Sequence, residues 1–469
     1  MSSNDGAADT PPRRRAGADE RKEHGSGSQV YHCDYDAMRV KTRPSFVRRW
    51  NNIVVGFLWS LLHFYLTYNF MLQLVAADGK FTFVKQRLFL LAELALFWGL
   101  LYSAVYGVIL FDSCMRFHVE NFDSFPKMYS DHAVQEALMH SDFKKYSFIK
   151  HLYGAIFLAP LRLLACVLFF ALCVVLIGIP LTLFGDRFKE PTRKYVATMF
   201  RYVTRISLWG IGISEVKSVY ADGVTVDKPI NVINNHIGVL DTLYILQNGS
   251  YSFVCKKALE HTFIIGEFIR LLKCITVDRE CEKNRREAYR AIANRMKAID
   301  QGHESVSLVV YPEGTTCKGS VLLPFKHGAF GALVPLQPLL MVLDYTYLDI
   351  AYDVFTWPWW TIHTCCSPAS VRLIAYWLPA IQPPTAEELA LKGEHQCVRE
   401  YALYANRIMR EAVVKLNPNA DLEHIQKRDV VVSPSLRGKL TARLYGPVMQ
   451  QHYEITDAEL SKTEEVVYH

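Results

Sequence analysis

The sequence predicts an α/β domain attached to N-terminal membrane helices, and three observations carry that expectation. Three apolar stretches crowd into residues 53–184, each longer than the roughly 20 residues that cross a bilayer core. From about Glu190 onward, short apolar runs alternate with amphipathic helices, the pattern of an α/β domain. Composition agrees: the chain is 51% hydrophobic and 21% charged, with a mean hydropathy of +0.07. That is too polar for a carrier of about ten spans and suits a few membrane segments beside a soluble body with its own core.

Taken in order, residues 1–47 read as a disordered basic tail. They hold Pro11, Pro12, the run Arg13-Arg14-Arg15 and the stretch Gly25 to Ser28, with little to bury. No apolar core of a signal peptide occurs in this start. Residues 48–189 form a membrane region with apolar segments at about 53–77, 88–111 and 161–184. His63 interrupts the first and Glu93 the second, and polar contacts between packed helices are the expected use of both. The third has Pro160 before it and Gly178 and Pro180 near its end, which fits a full span or a kinked, re-entrant segment.

Residues 190–416 are the α/β domain. Strands are expected at Ile230 to Ile233, Tyr251 to Cys255, Cys274 to Val277, Ser305 to Tyr311 and Val371 to Leu378. Glu282 to Ile299 reads as a helix, with Ala288, Ile292, Met296 and Ile299 on one face and Arg285, Arg286, Arg290 and Lys297 away from it. Thr385 and Glu388 form a capping box. A helix from about Gln396 to Leu416 closes the domain, and residues 417–469, with an apolar patch at Val430 to Val432, read as a peripheral tail. The net charge of +6 is spread along the chain apart from the basic cluster in the N-terminal tail, so no nucleic-acid partner is expected and a weakly basic surface beside anionic lipid is. Eleven cysteines occur with no CxxC and no Cys/His cluster at zinc spacing. Reduced thiols are expected, with no metal site and no disulfide framework.

The chemistry concentrates in two segments. The first is Asn234-Asn235-His236-Ile237-Gly238-Val239-Leu240-Asp241, after a strand. Five positions on one helix turn through about 500°, so His236 and Asp241 would not share a face. They meet if His236 lies in the turn and Asp241 on the following helix. The carboxylate then fixes the imidazole tautomer and makes the other nitrogen more basic. Without a Ser or Cys beside it, such a base acts on a hydroxyl supplied by substrate. A capping Asp beside a turn His is the plain alternative. The second segment is Pro312-Glu313-Gly314-Thr315-Thr316, followed by Lys318 and Lys326. A strand running into a Gly-containing turn presents N–H groups, hydroxyls and lysines to an anion, with Glu313 placed to hold the turn or to orient a glycerol hydroxyl. An ordinary polar turn is the alternative. Lys256-Lys257 reads either as a contact for phosphates or as a solvated strand end.

His236 with Asp241 and the Pro312-Glu313-Gly314-Thr315 run resemble the first and third motifs of the glycerolipid acyltransferase superfamily. The second resembles Gly266-Glu267-Phe268-Ile269-Arg270 leading to Val277-Asp278-Arg279, and the fourth Val334-Pro335-Leu336-Gln337-Pro338. Within the superfamily the chain is most similar to the lysophosphatidylcholine and lysophosphatidylethanolamine acyltransferases. Pro160-Leu161-Arg162-Leu163-Leu164, Leu323-Pro324-Phe325-Lys326-His327-Gly328-Ala329-Phe330, and Leu378-Pro379 with Pro384 and Glu387-Glu388 carry that likeness. Thr316 stands where the lysophosphatidic acid enzymes commonly have Arg, which leans toward a phosphodiester headgroup.

The resemblance implies a mixed sheet flanked by helices. It also implies an endoplasmic-reticulum membrane enzyme with its catalytic domain facing the cytosol. His236, oriented by Asp241, would deprotonate a lysophospholipid hydroxyl that attacks acyl-CoA, the co-substrate, with no acyl-enzyme and no cofactor or metal. Glu313, Gly314, Thr315, Arg279, Gly266, Lys318 and Lys326 are the expected substrate-binding residues, and the backbone after Asn234 is a candidate for oxyanion donors. Acyltransfer to lysophosphatidic acid or glycerol 3-phosphate is the alternative within the class, and an inactive membrane scaffold the alternative outside it. Cys317 with His327 is not the expected pair for a covalent route, since that route leaves His236 and Asp241 without a task.

Overall fold

The computed structural model describes residues 31–40, 46–77, 81–121, 146–184, 189–249, 251–262, 265–278, 282–350, 357–368, 371–420, 447–452 and 454–458. After a short helix α1 (Tyr35–Met38), the N-terminal part is built from α2 (Phe46–Ala76), α3 (Phe81–Gln86), α4 (Leu88–Asn121) and α5 (Phe148–Phe157). Next come α6 (Ala159–Leu172), a π-helical turn (Cys173–Gly178), α7 (Ile179–Phe184) and α8 (Lys189–Gly210). Three stretches are long and apolar enough to cross a membrane: Ile53–Ala76, Leu88–Phe117 and Ala159–Leu183. Leu58, Leu62, Leu72, Tyr102, Val175 and Leu183 lie exposed along them, an apolar surface that lipid covers.

Polar groups among these helices are used as contacts. His63 Nδ1 donates to the Trp59 carbonyl at 2.9 Å, and Nε2 meets Glu93 Oε1 of α4 at 3.1 Å. Thus the two residues that interrupt the apolar runs satisfy each other between helices. The third segment differs from a plain span. The π turn precedes Pro180, where a missing N–H already weakens helical bonding. Beyond it the chain turns, and α8 packs back along α7, the π turn and α6. The third apolar segment is therefore one arm of an antiparallel helical hairpin.

The α/β domain follows: β1 (Ile213–Tyr220), β2 (Asn231–Asn234), α9 (Val239–Asn248), β3 (Tyr251–Lys256), α10 (Ile265–Leu271), β4 (Ile275–Val277) and α11 (Glu282–Asp300). Then come β5 (Ser307–Val310), β6 (Gln337–Asp344), α12 (Trp357–Cys366), β7 (Val371–Trp377), α13 (Ala386–Lys392), α14 (Glu394–Leu416) and α15 (Pro447–His452). The seven strands run in the order β1-β7-β6-β2-β5-β3-β4. All neighbours are parallel except β6 and β7, so the sheet is mixed. Side chains alternate across it. Val232 and Val309 belong to the core shared with α9 and the membrane helices, while Ile233, Leu308 and Val310 belong to the one shared with α11 and α14.

Two tethers hold the membrane helices to the domain. Arg162 of α6 is fully buried, and its Nη1 donates to the carbonyls of Cys365 and Ser367 at 3.1 and 2.6 Å. His151 of α5 meets Tyr347 Oη at 3.0 Å and His363 Nδ1 of α12 at 3.1 Å. Burial pushes the His151 imidazole down to about 3, which keeps it neutral.

The tail boundaries need correction. Residues 31–40 are not part of a disordered tail: they lie along α14. Met38 is buried beside Val413 and Leu416, Arg39 Nη2 donates to the Lys415 carbonyl at 2.8 Å, and Tyr31 Oη donates to Pro379 O at 3.3 Å. Residues 1–30 and 41–45, and the patch at Val430 to Val432, lie outside the described residues. Asn417 and Asn419 still belong to the domain, since their side chains donate to the carbonyls of Gly319 and Leu343 at 2.7 and 3.0 Å. Helix α15 packs on α4.

Candidate active site

β2 and β5 are adjacent parallel strands, paired Val232 to Val309 and Ile233 to Val310. Their carboxyl ends therefore open side by side, the place where open α/β sheets hold ligands. The turn after β2 carries His236 and the turn after β5 carries Glu313, so the topology brings together residues far apart in the chain. Asn235 anchors the first turn to β6: its side chain donates to Met341 O at 3.0 Å and accepts from Met341 N at 2.7 Å.

His236 and Asp241 meet as expected. His236 Nδ1 donates to Asp241 Oδ2 at 2.8 Å. The carboxylate is fully buried in the first turn of α9, while the imidazole side chain is 23% exposed. The same Oδ2 accepts from the Ile237 and Gly238 amides at 2.9 and 3.3 Å. Oδ1 accepts from the Thr242 and Tyr311 hydroxyls, each at 3.2 Å. Burial and the neighbouring Asp241 charge hold the Tyr311 phenol well above its ordinary range, so it stays a donor. Its ring also stacks on the His236 imidazole, centroids 4.0 Å apart and 17° from parallel. The imidazole is thereby fixed in plane and tautomer, and Nε2 is the nitrogen left for substrate. Five donors on one buried carboxylate also decide against a mere helix cap.

Glu313 is placed beneath this pair and holds the turn, the first of its two expected uses. Its side chain is buried: Oε1 accepts from the His236 amide at 2.8 Å, and Oε2 from the Leu323 amide at 2.8 Å and the Cys317 thiol at 3.2 Å. The Cys317 amide donates to the His236 carbonyl at 2.9 Å, so the two turns are stitched twice. Cys317 is itself buried and aimed at Glu313, which removes it as a nucleophile. The backbone expected to supply oxyanion donors is committed as well, with the amides of His236, Ile237 and Gly238 bound to Glu313 and Asp241.

Burial raises the Glu313 carboxyl to about 7 against the opposing pull of its donors. A pKa higher in the folded than in the unfolded chain contributes stability that is complete at low pH and is lost as pH rises through the folded value. The window runs from 4.5 to about 7. Glu313→Gln cannot ionise, and its amide nitrogen faces a donor at one end. The variant is therefore expected to unfold at lower temperature than wild type at pH 5, with a shallower fall in unfolding temperature toward pH 7. An unchanged slope in thermal melts would contradict this.

The remaining expected contacts divide. Gly314 has a φ of +70°, and a Cβ there would lie 2.6 Å from Lys326 Nζ. The position thus requires glycine, and Lys326 lies over the turn. Thr315 and Thr316 are partly exposed on the same turn. Lys318 is fully buried and so does not reach an anion at the mouth of the site, contrary to expectation. Gly266 lies in the first turn of α10, where a Cβ would stand 2.0 Å from the Glu260 carbonyl oxygen. It serves close packing there. Arg279 lies outside the described residues. Missed by the sequence reading were Tyr311, Thr242 and Asn235; Tyr311 directly precedes the Pro-Glu-Gly-Thr run, the one signal that pointed to it.

Residues 215–343 match the family model named Acyltransferase. The lysophospholipid acyltransferase LPEAT1 of Arabidopsis thaliana is 29% identical over 131 residues, covering 28% of this chain and 33% of that protein. The lysophosphatidylcholine acyltransferase of Drosophila melanogaster is 27% identical over 274 residues, covering 55% of this chain and 47% of that one. The chain spans a third to about half the length of these relatives. Among solved structures, the 1-acyl-sn-glycerophosphate (LPA) acyltransferase PlsC from Thermotoga maritima aligns with 52% of this chain and 96% of its own, at 19% identity and a TM-score of 0.36. Residues 215–343 are thus an acyltransferase domain, and over that part the chain is similar to lysophospholipid acyltransferases.

Proposed function

We propose that the protein is an acyl-CoA-dependent lysophospholipid O-acyltransferase whose acceptor is lysophosphatidylcholine or lysophosphatidylethanolamine. The observation that carries this is the His236–Asp241 pair at the end of β2, with the imidazole held by a buried carboxylate and, among the described residues, no Ser or Cys nucleophile beside it. Nε2 takes the proton from the free glycerol hydroxyl, and the oxygen attacks the thioester carbonyl carbon. As the C–O bond forms and the C–S bond breaks, the proton passes from His236 to the departing CoA sulfur. Orientation of the hydroxyl and removal of its proton are what the two residues supply.

The hairpin supports one orientation in the membrane. Two spans at Ile53–Ala76 and Leu88–Phe117, followed by a segment that returns on itself through α8, leave the domain on the side where the chain entered. Arg48 and Arg49 before the first span favour the cytosol for that side, where acyl-CoA is made available; the endoplasmic reticulum is the proposed membrane. Occupied N-glycosylation at Asn248-Gly249-Ser250 in cells would overturn this orientation. The test of function supplies membranes carrying the protein with labelled oleoyl-CoA and, separately, lysophosphatidylcholine, lysophosphatidylethanolamine, lysophosphatidic acid and glycerol 3-phosphate. Product from either of the first two is expected. Product from the last two alone would reassign the acceptor, and none from any would leave the scaffold reading.

A further inference from the structure

A cluster of two cationic side chains and two imidazoles adjoins the Gly314 turn on the sheet face away from the membrane helices. Lys326 lies over Gly314. It caps the short 3-10 helix His327–Ala329, which packs on α14. His327 faces His395 and Arg399, four residues apart on α14 and therefore on one side of it. Burial, then the charges of His395 and Arg399, hold the His327 imidazole below its ordinary range. All four side chains are exposed. Neighbouring carboxylates are engaged elsewhere: Glu400 accepts from Lys392 at 2.7 Å and Gln396 at 2.9 Å. Glu388 accepts from the Thr385 amide at 2.9 Å, and Glu394 stands by Tyr289. Lys326 and Arg399 supply fixed positive charge on this surface and the two imidazoles supply ring N–H donors, a combination suited to a polyanion.

We propose that Lys326, His327, His395 and Arg399 bind the phosphates of the CoA nucleotide, leaving the pantetheine arm to reach past Gly314 to His236. This rests on the acyl-CoA-dependent reading above. Two features favour the nucleotide over the acceptor headgroup. The cluster stands beside α14 and the core that contains Ile233, Leu308 and Val310, whereas the membrane helices share the opposite core. A lipid acceptor stays with the bilayer, while the CoA nucleotide is the soluble polyanion of the reaction. The cluster is also continuous with the site: Lys326 touches the turn whose Glu313 holds the His236 amide.

The test compares full-length wild type with the double variant His395→Gln/Arg399→Gln. Wild type is expected to bind CoA about 10-fold more tightly than dephospho-CoA, which lacks the ribose phosphate. In the double variant that preference should fall to within about twofold, with the KM for oleoyl-CoA raised about 10-fold and the KM for lysophosphatidylcholine within about twofold. An unchanged KM for oleoyl-CoA overturns the proposal, as does a rise confined to the acceptor. An equal rise in Lys217→Gln/Lys228→Gln, charge losses on the edge strand β1 and before β2, overturns it too by showing a general electrostatic effect. CoA and dephospho-CoA binding are measured directly on the same proteins. Should wild type transfer no acyl group yet prefer CoA through this cluster, the catalytic reading fails and the nucleotide site stands. Acyl transfer by a wild type without that preference gives the reverse.

Discussion

His236→Ala is expected to reduce acyl transfer by about 10²–10⁴-fold, the range a positioned general base contributes. The ring lost is partly exposed and stacked on Tyr311, so the cavity opens toward solvent and the fold keeps its other ties. Asp241 retains the Ile237 and Gly238 amides and the Thr242 and Tyr311 hydroxyls. The loss should accordingly fall on kcat, with KM for oleoyl-CoA within about threefold, the signature of an interaction made in the transition state. Measured on membranes with equal amounts of folded protein, a variant keeping more than about a tenth of the wild-type rate would remove His236 from the role of base. The result would then count for a scaffold in which the pair serves packing alone.

The two turns were unequally legible in the sequence, for physical reasons. His236 and Asp241 are five positions apart and follow a short apolar strand, so local geometry is enough to join them. The use of Glu313 is tertiary: its partners include an amide 77 residues earlier and another 10 residues later. A carboxylate in a Gly-containing turn reads as solvent-facing until the neighbouring strand is known to be β2. Lys318 shows the same limit more strongly, since nothing local signals burial of a lysine. Among the strands, β1 was not foreseen because Ile213–Tyr220 carries Glu215 and Lys217 on a half-buried edge strand, which blurs the apolar pattern. β6 was hidden for the opposite reason: Gln337–Asp344 has Pro338 as its second residue and sits within a longer apolar run, where periodicity does not separate strand from helix. Helix α12, rich in Trp and Cys, has no polar face to mark it because it is enclosed by α4, α5 and α6. The amphipathic hairpin arm α8 has a polar face, but its antiparallel return on α6 depends on contacts with the membrane segment and so decides the topology only in the folded chain.

Asp241→Asn separates the electrostatic role of the carboxylate from its structural one. All five groups around Asp241 donate, so the amide nitrogen of Asn meets donors in either orientation. Turned toward Oδ2, it opposes two backbone N–H groups that cannot change roles and forces the His236 proton from Nδ1 to Nε2. Turned toward Oδ1, it meets the Thr242 and Tyr311 hydroxyls, which can rotate to accept. The second orientation wins, because a hydroxyl rotation costs far less than an unmet buried amide, about 1–3 kcal/mol. The imidazole then keeps its plane and tautomer but loses the negative charge that stabilises it when it holds the substrate proton. The expected outcome is a folded enzyme with kcat lowered about 10²-fold or more and an unfolding temperature close to wild type. Asp241→Ala should melt measurably lower, since it leaves the Ile237 and Gly238 amides without a partner. Equal melting losses in the two variants would mean that the carboxylate acts through structure; near wild-type kcat in the Asn variant would mean that its charge plays no part in moving the proton.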